Sequence, residues 1–426
     1  MTDKQTEGRK AAGWHVFQYR DYRLLCIGRL ISGISNQMLF VAVGWLVYDI
    51  TRDPLALGLI GLIAFIPWVA LVLVTGQVAD RYDRRLVLVC AYGLSAVAST
   101  GLFLYALTGP TQVWPIYCYV LVQGSARAFV QPTSNALVPN LVPKEALGDA
   151  IAFGSSIFQV ATIVGPALGG ILYIGGAPLV FGLSAVGIAA TVVVLLQIKP
   201  HPVRGRPERM SWTNVLAGIV YIRSKPVIFG AVTLDMFAVL FGGAEALLPI
   251  FARDILMIGP WGLGLMRSMP AVGAVVTALL LAHNALKARV GTVLFVAVAI
   301  FGVATIGLGL SRNLYLSLGC LVVLGAADMI SIYVRQTLVQ IETPDAMRGR
   351  VAAMNSLFIG TSNQLGEFES GTVARLIGTI PCVIVGGIGT ILVSGLWARW
   401  FPELRTRDKL IPDQLPDAAP SSVSNP

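Results

Sequence analysis

Apolar runs of about 20 residues recur along nearly the whole chain, separated by short breaks that carry Gly, Pro or charge. That is the length a helix needs to cross the hydrocarbon core of a bilayer. Strands are not expected, because barrel segments alternate polar and apolar residues over about ten positions. Twelve spans follow, at 23–48, 56–79, 86–108, 113–135, 148–173, 178–198, 227–251, 260–282, 290–311, 314–338, 349–376 and 379–400. The break between the last two is the least visible. Only 12% of the residues are charged, against about a quarter in ordinary soluble proteins. The expected fold is an all-α membrane protein.

The formal net charge of +9 is distributed by loop. Lys4, Arg9, Lys10, Arg20 and Arg23 precede the first span, and further basic residues follow the second, fourth, sixth, eighth, tenth and twelfth. The opposite loops carry little beyond Arg52 and Arg253, each beside an Asp, and Arg312. Positive-inside reasoning puts both termini in the cytoplasm and removes the reason to invoke nucleic acid. No cleavable leader is expected, since the first apolar run is long and lacks a small-residue cleavage site. Five cysteines share no close spacing, and His15, His201 and His283 fall in loops or at span ends. Neither a metal site nor a histidine acid–base pair is expected, and no cofactor. An ATP-driven pump would need a Gly-rich phosphate loop with Lys and Ser or Thr, which the sequence does not contain.

Adding 201 to a residue number in the first half repeatedly reaches the same residue type in the second. Arg52-Asp53 meets Arg253-Asp254, Gly58 and Gly61 meet Gly259 and Gly262, Gly165 meets Gly366, and Gly170 meets Gly371. Two related six-helix halves are expected, at 22–198 and 227–401, with a cytoplasmic segment at 1–21, a linker at 199–226 and a disordered tail at 402–426. In the linker, Trp212, Leu216, Ile219 and Val220 would share one side of a short helix, either interfacial or an extension of span seven. Two such halves are the plan of a secondary transporter that rocks about a midplane site.

After span two comes GQVADRYDRR, residues 76–85. Gly76 lets a helix end approach its neighbour, Asp80 can accept hydrogen bonds from a facing helix N-terminus, and Arg81, Arg84 and Arg85 hold the loop at the inner leaflet. This pattern resembles the signature loop of the major facilitator superfamily. GWLVYDITRDPLALGLIGL (44–62), LVPKEALGDAIAFGSSIF (141–158) and TPDAMRGRVAAMNSL (343–357) look like the branch that includes enterobactin-exporter and macrolide-efflux proteins. The resemblance covers about Tyr22 to Phe401. It implies that Asp80 engages the start of helix eleven as a conformational latch, with Thr343 as N-cap, Pro344 first in the helix and Asp345 in its first turn. The second-half counterpart, LLAHNALKARVG, lacks the Asp-Arg pair, so the latch is expected on one side only. GPALGG, with Gly165, Pro166, Gly169 and Gly170, resembles an antiporter motif. Its small residues permit close helix contact and its proline a bend.

Under the 201 offset GPALGG aligns with GEFESG, so Pro166 maps to Glu367 and Leu168 to Glu369. An ionised side chain at membrane depth costs at least ~2.5–3.5 kcal/mol, which makes it a functional candidate. The two acids lie about 200° apart on a helix. Glu367 shares a small, polar stripe with Ser356, Gly360, Asn363 and Ser370, and is expected on a wet seam between the halves. Glu369 is expected against another helix or near the outer surface.

The remaining intramembrane charges are Arg29 in span one, Arg127 in four, Asp235 and Glu245 in seven, Asp328 and Arg335 in ten, and Arg267 in eight. The resemblance implies that helices one, four, seven and ten line the central cavity, which sets Arg267 aside. Arg127 and Asp328 are related by the offset and would face each other. Gln123 and Gln131 share the face of Arg127, Asn36 that of Arg29, and Ser331 that of Asp328 and Arg335. Structural pairing within each half remains open for every one of these charges.

The expected function is alternating-access export of a small organic molecule, such as a siderophore or a drug, by a proton-coupled inner-membrane transporter. The proton-coupling candidates, in order, are Glu367, Asp235 and Asp328. Arg29, Asn36, Gln123, Arg127, Glu245, Ser331, Arg335 and Asn363 are the cavity candidates. The partners are a small-molecule substrate, protons and the bilayer, with a monomer expected. An importer or uniporter, or a transport-inactive sensor of the same fold, would be the alternatives.

Overall fold

The computed structural model describes residues 13–199, 212–284, 286 and 288–408. Much of the linker's basic run and the tail from 409 lie outside the described residues. Ten helices in the described part are long and apolar enough to cross a membrane. They are α1 (Arg20–Thr51), α2 (Pro54–Arg81), α3 (Arg84–Leu107), α5 (Leu147–Leu172), α6 (Ala177–Leu196), α7 (Pro226–Ile255), α8 (Gly259–His283), α9 (Val290–Leu310), α10 (Leu314–Glu342) and α12 (Thr379–Trp400). Two further long helices, α4 (Trp114–Leu141) and α11 (Asp345–Ile377), pack among them. These two carry Arg127 with several amides, and Glu367 and Glu369 with several arginines, which lowers their hydropathy.

Local chemistry sets the breaks. Arg52 ends α1 in the left-handed region, at φ 54°, and the Asp53 carboxylate accepts from the Leu55 N–H at 3.0 Å to start α2 behind Pro54. Asp83 caps α3 by accepting from the Arg85 N–H. The inconspicuous break between spans eleven and twelve is Gly378, at φ 93°, which repeats the turn that Gly176 makes at φ 94° between α5 and α6. Positive φ of this size favours glycine.

The packing repeats when each helix number is raised by six. α1 packs on α5 and α6, α2 on α4, and α3 on α4 and α6; α7 packs on α11 and α12, α8 on α10, and α9 on α10 and α12. The two most extensive contacts between the halves are α5 with α8 and α2 with α11. Glycine makes both close. A Cβ on Gly170 would lie 2.5 Å from the Pro260 carbonyl oxygen, and one on Gly371 would lie 2.7 Å from the Gly58 Cα. Val97, Val186, Val303 and Leu392 are exposed, as helices solvated by lipid require.

Three expectations change, and one left open is decided. The helix of residues 345–377 starts one residue later than expected, because Pro344 keeps an extended ψ of 150° and is itself the N-cap. Thr343 instead terminates α10, and its buried hydroxyl makes no hydrogen bond among the described residues. The linker helix, Trp212–Ser224, is separate from α7, since Lys225 is extended and Pro226 starts the next helix. It docks on α11 through Gly218 and Ile222, while Val220, placed on the apolar side by the sequence, is 67% exposed. Over its described residues the tail is structured: Pro402–Arg405 is a short helix that buries Leu404, and Arg407 pairs with Glu342 at 2.8 Å.

Candidate functional site: a charged seam between the halves

The two crossing contacts leave a seam between the halves, and charge collects along it. At the end remote from the linker, α1 and the end of α7 are tied by ion pairs. Arg253 pairs with Asp49, Arg52 with Asp254 at 3.3 Å, and the Tyr48 hydroxyl donates to Asp254. Arg253 also stacks over the Trp45 ring at 5.3 Å. Beside them, Arg375 of α11 pairs with Asp53 at the start of α2, at 3.4 Å. Every one of these contacts joins the two halves. The sequence showed the repeated Arg-Asp dipeptide but not that its two copies meet.

Nearer the middle, α7 is broken. After Phe241 the chain turns through Gly242 and Gly243 into a short 3-10 turn, Ala244–Leu247, then resumes and ends in a π turn at Phe251–Ile255. Gly243 sits directly on the Gly366 carbonyl of α11. The break leaves Glu245 exposed and its carbonyl 3.5 Å from the Arg267 guanidinium of α8. That guanidinium lies 4.1 Å over the Phe40 ring of α1. Its Nε is buried without a hydrogen-bond partner.

Glu367 completes this cluster. It stands about three turns short of the remote end of α11 and packs against Gly61 of α2, where any Cβ would fall 2.7 Å from its carboxylate oxygen. A small cavity is lined by Phe40, Gly44, Leu57, Ile60, Ala246, Arg267 and Glu367. Arg267, Glu245 and Arg127 are the charged groups that act on Glu367. Arg267, set aside by the sequence reading, is therefore the first electrostatic partner of its leading candidate. Glu369 turns away toward Cys382 of α12.

The other candidates divide. Asp235 of α7 and Arg335 of α10 form a buried ion pair at 3.1 Å within the second half, and Arg335 also reaches Asn355. Asp328 lies in the field of that pair and of Glu245. Arg127 and Asp328, expected to face each other, form no ion pair; the acid that acts on Arg127 is Glu367. On the first half, Gln123 donates to Asn36 at 2.5 Å and Arg29 donates to the Ser134 hydroxyl at 2.8 Å. Ser331 is buried and Asn363 exposed.

At the linker end, Arg84 donates to the Ala136 carbonyl at 2.9 Å, and Arg85 to the carbonyls of Leu195 and Leu196. Both arginines therefore anchor the loop to its own half. Arg81 is exposed and Gly76 half-buried. The side chains of Asp80 and Asp345 lie outside the described residues. Gly165, Pro166, Gly169 and Gly170 are all buried, against α1 and α8.

Curated relatives match over almost the full chain. An enterobactin exporter of Citrobacter koseri is 28% identical over 408 residues, covering 94% of this chain and 95% of its own. The enterobactin exporter of Escherichia coli strain SMS-3-5 is 26% identical over 403 residues, covering 92% and 94%. Among solved structures, an inward-facing, unoccupied bacterial homologue of the human lysosomal transporter Spinster superposes with a TM-score of 0.72 at 13% identity, covering 91% of this chain and 98% of that one. A D-xylose–proton symporter gives 0.69 at 15% identity, covering 91% and 98%. These two share the fold. The family model described as transmembrane secretion effector matches residues 11–419. The chain is a multi-pass membrane transporter, not an enzyme, and belongs to the transmembrane secretion effector family of the major facilitator superfamily.

Proposed function

We propose that the protein is a proton-coupled exporter of a small organic molecule in a bacterial inner membrane, working by alternating access. In this reading α1–α12 all span, both termini are cytoplasmic, and residues 22–198 and 227–401 are the moving halves. The observation that carries it is the seam: inter-half ion pairs tie its remote end, while Arg127, Gln131, Glu245, Ser356 and Asn363, all on membrane-depth helices, stay exposed. A stripe of this polarity is too costly to face lipid. Polar groups lining an access path open to the cytoplasm account for it.

Glu367 is the first coupling residue in this proposal, with Asp328 second. Glu367 sits where the halves cross, so a change in its charge acts on the contact that must open. Asp235 is held by Arg335 and ranks last. Enterobactin, after which two relatives are named, is the first cargo to test. Uptake into inverted vesicles under an imposed proton gradient tests the reading. Gradient-driven uptake by the native chain, lost in Glu367→Gln, is the expected result. Uptake indifferent to the gradient would overturn proton coupling.

A further inference from the structure

We propose that the first half carries an anion-binding wall, formed by Arg127 and Arg29, and that the transported solute is an anion recognised there. This rests on the export reading and narrows its substrate class. The observation is a separation of charge between halves that the repeat makes visible. Between their end turns, α1–α6 contain no acidic residue, while α7, α10 and α11 supply Asp235, Glu245, Asp328, Glu367 and Glu369. Arg127 stands at the register of Asp328. The first half thus brings cations alone to the seam, whereas the second half brings the carboxylates together with Arg267 and Arg335.

Among the described residues, neither cation of the first half has an acidic neighbour in its own half, whereas the second half supplies acids to both of its own, Asp235 to Arg335 and Glu245 and Glu367 to Arg267. Arg335 is spent on Asp235 at 3.1 Å. Arg29 donates to a neutral hydroxyl, Ser134, and the groups that act on it are Tyr92, Cys26 and Tyr22, none a carboxylate. Arg127 makes no ion pair among the described residues, its only acting acid being Glu367 across the seam, and its side chain is exposed. A guanidinium at membrane depth without a counter-ion is costly. A bound anion supplies that counter-ion.

The geometry suits one elongated or multiply charged anion. Gln123, Arg127 and Gln131 follow one another at four-residue spacing, and Ser134, which holds Arg29, lies one turn further on. The backbone positions of Arg127 and of Ser134, where Arg29 docks, are thus about 10 Å apart along the helix axis. Gln123 is fixed by Asn36 above, and Gln131 is exposed between the cations. Planar, always-charged guanidinium forks pair well with carboxylate-like oxygens, and the amides between them add neutral donors.

The test reads the sign of the site without assuming a cargo. In the Gln131→Cys variant, reconstituted in neutral phosphatidylcholine, the new thiol is reacted with an anionic sulfonatoethyl and a cationic trimethylammonioethyl methanethiosulfonate. Each rate is normalised to that with a free small thiol, and the background of the unsubstituted chain is subtracted. We expect the anionic reagent to be favoured about fivefold or more, the preference to fall to near unity with Arg127→Gln or Arg29→Gln, and Arg127→Lys to retain it. Equal rates, a cation preference, or a preference that survives loss of both arginines would overturn the proposal. No gradient is needed. Vesicle transport that fails while the arginine-dependent preference holds removes only the export reading, and gradient-driven transport without the preference removes only the anion wall.

Discussion

Arg52 and Asp254 stand 3.3 Å apart and come from opposite halves, yet each belongs to the same repeated Arg-Asp dipeptide. The reciprocal arginine, Arg253, reaches back to Asp49. The arginines of the duplicated dipeptide thus each reach an acid of the opposite half, one within the other copy and one three residues before it. Exposed ion pairs are individually weak, about 0.2–1 kcal/mol. Asp254→Asn is therefore expected to raise the population open at this end by about 1.4- to fivefold. Spin-label distances between the ends of α1 and α7 measure it, and an unchanged distribution would mean that the ties do not hold the seam shut.

The Asp235–Arg335 pair obeys different energetics. Its side chains are only 7% and 3% exposed. Removing one partner of such a pair costs about 3–5 kcal/mol, whereas replacing both by apolar groups is often neutral. Arg335→Met should lower the apparent unfolding temperature markedly, and adding Asp235→Leu should restore most of the loss. A double variant as unstable as the single would show that the pair contributes more than its own neutralisation.

Gly170 tests the crossing of α5 and α8. A Cβ there would press on Pro260 and Gly264, and such overpacking costs about 1–3 kcal/mol. Gly170→Leu should weaken cross-linking between cysteines introduced on α5 and α8 and slow transport. Gly319→Ala, where an added Cβ meets nothing within 4 Å, should do neither.

Tyr221 joins the linker helix to the end of α10, its hydroxyl donating to the Glu342 carbonyl at 2.8 Å. Burial, and then the nearby Glu342 charge, push that hydroxyl above its usual titration range, so it remains a donor at neutral pH. Tyr221→Phe should cost about 0.5–1.5 kcal/mol and speed amide exchange in the linker helix. Exchange equal to the native rate would mean that docking rests on Gly218 and Ile222 alone.

Hydropathy made the spanning helices legible, and the offset of 201 residues made the two related halves legible, because both are one-dimensional properties of the chain. The alignment of Pro166 with Glu367 marked the seam acid for the same reason. Contacts between distant helices were not legible. Arg267 was passed over because its helix number gave no sign that its guanidinium reaches Phe40 and the Glu367 cavity. Arg127 was matched to its register partner Asp328, but symmetry-related residues occupy equivalent places in different halves and need not touch. Thr343 and Pro344 were assigned by propensity, which a one-residue change in ψ overrides.

The register of the repeat also shows what the second half has added. Gly44, Ile66 and Pro166 stand where Glu245, Arg267 and Glu367 do. Two first halves fused head to tail would keep the small-residue crossings on both sides and could close like the native pair. Neither joint would hold a carboxylate between its end turns. Such a molecule would be mechanically whole and electrically mute, so the joint itself is common inheritance and its responsiveness belongs to one copy.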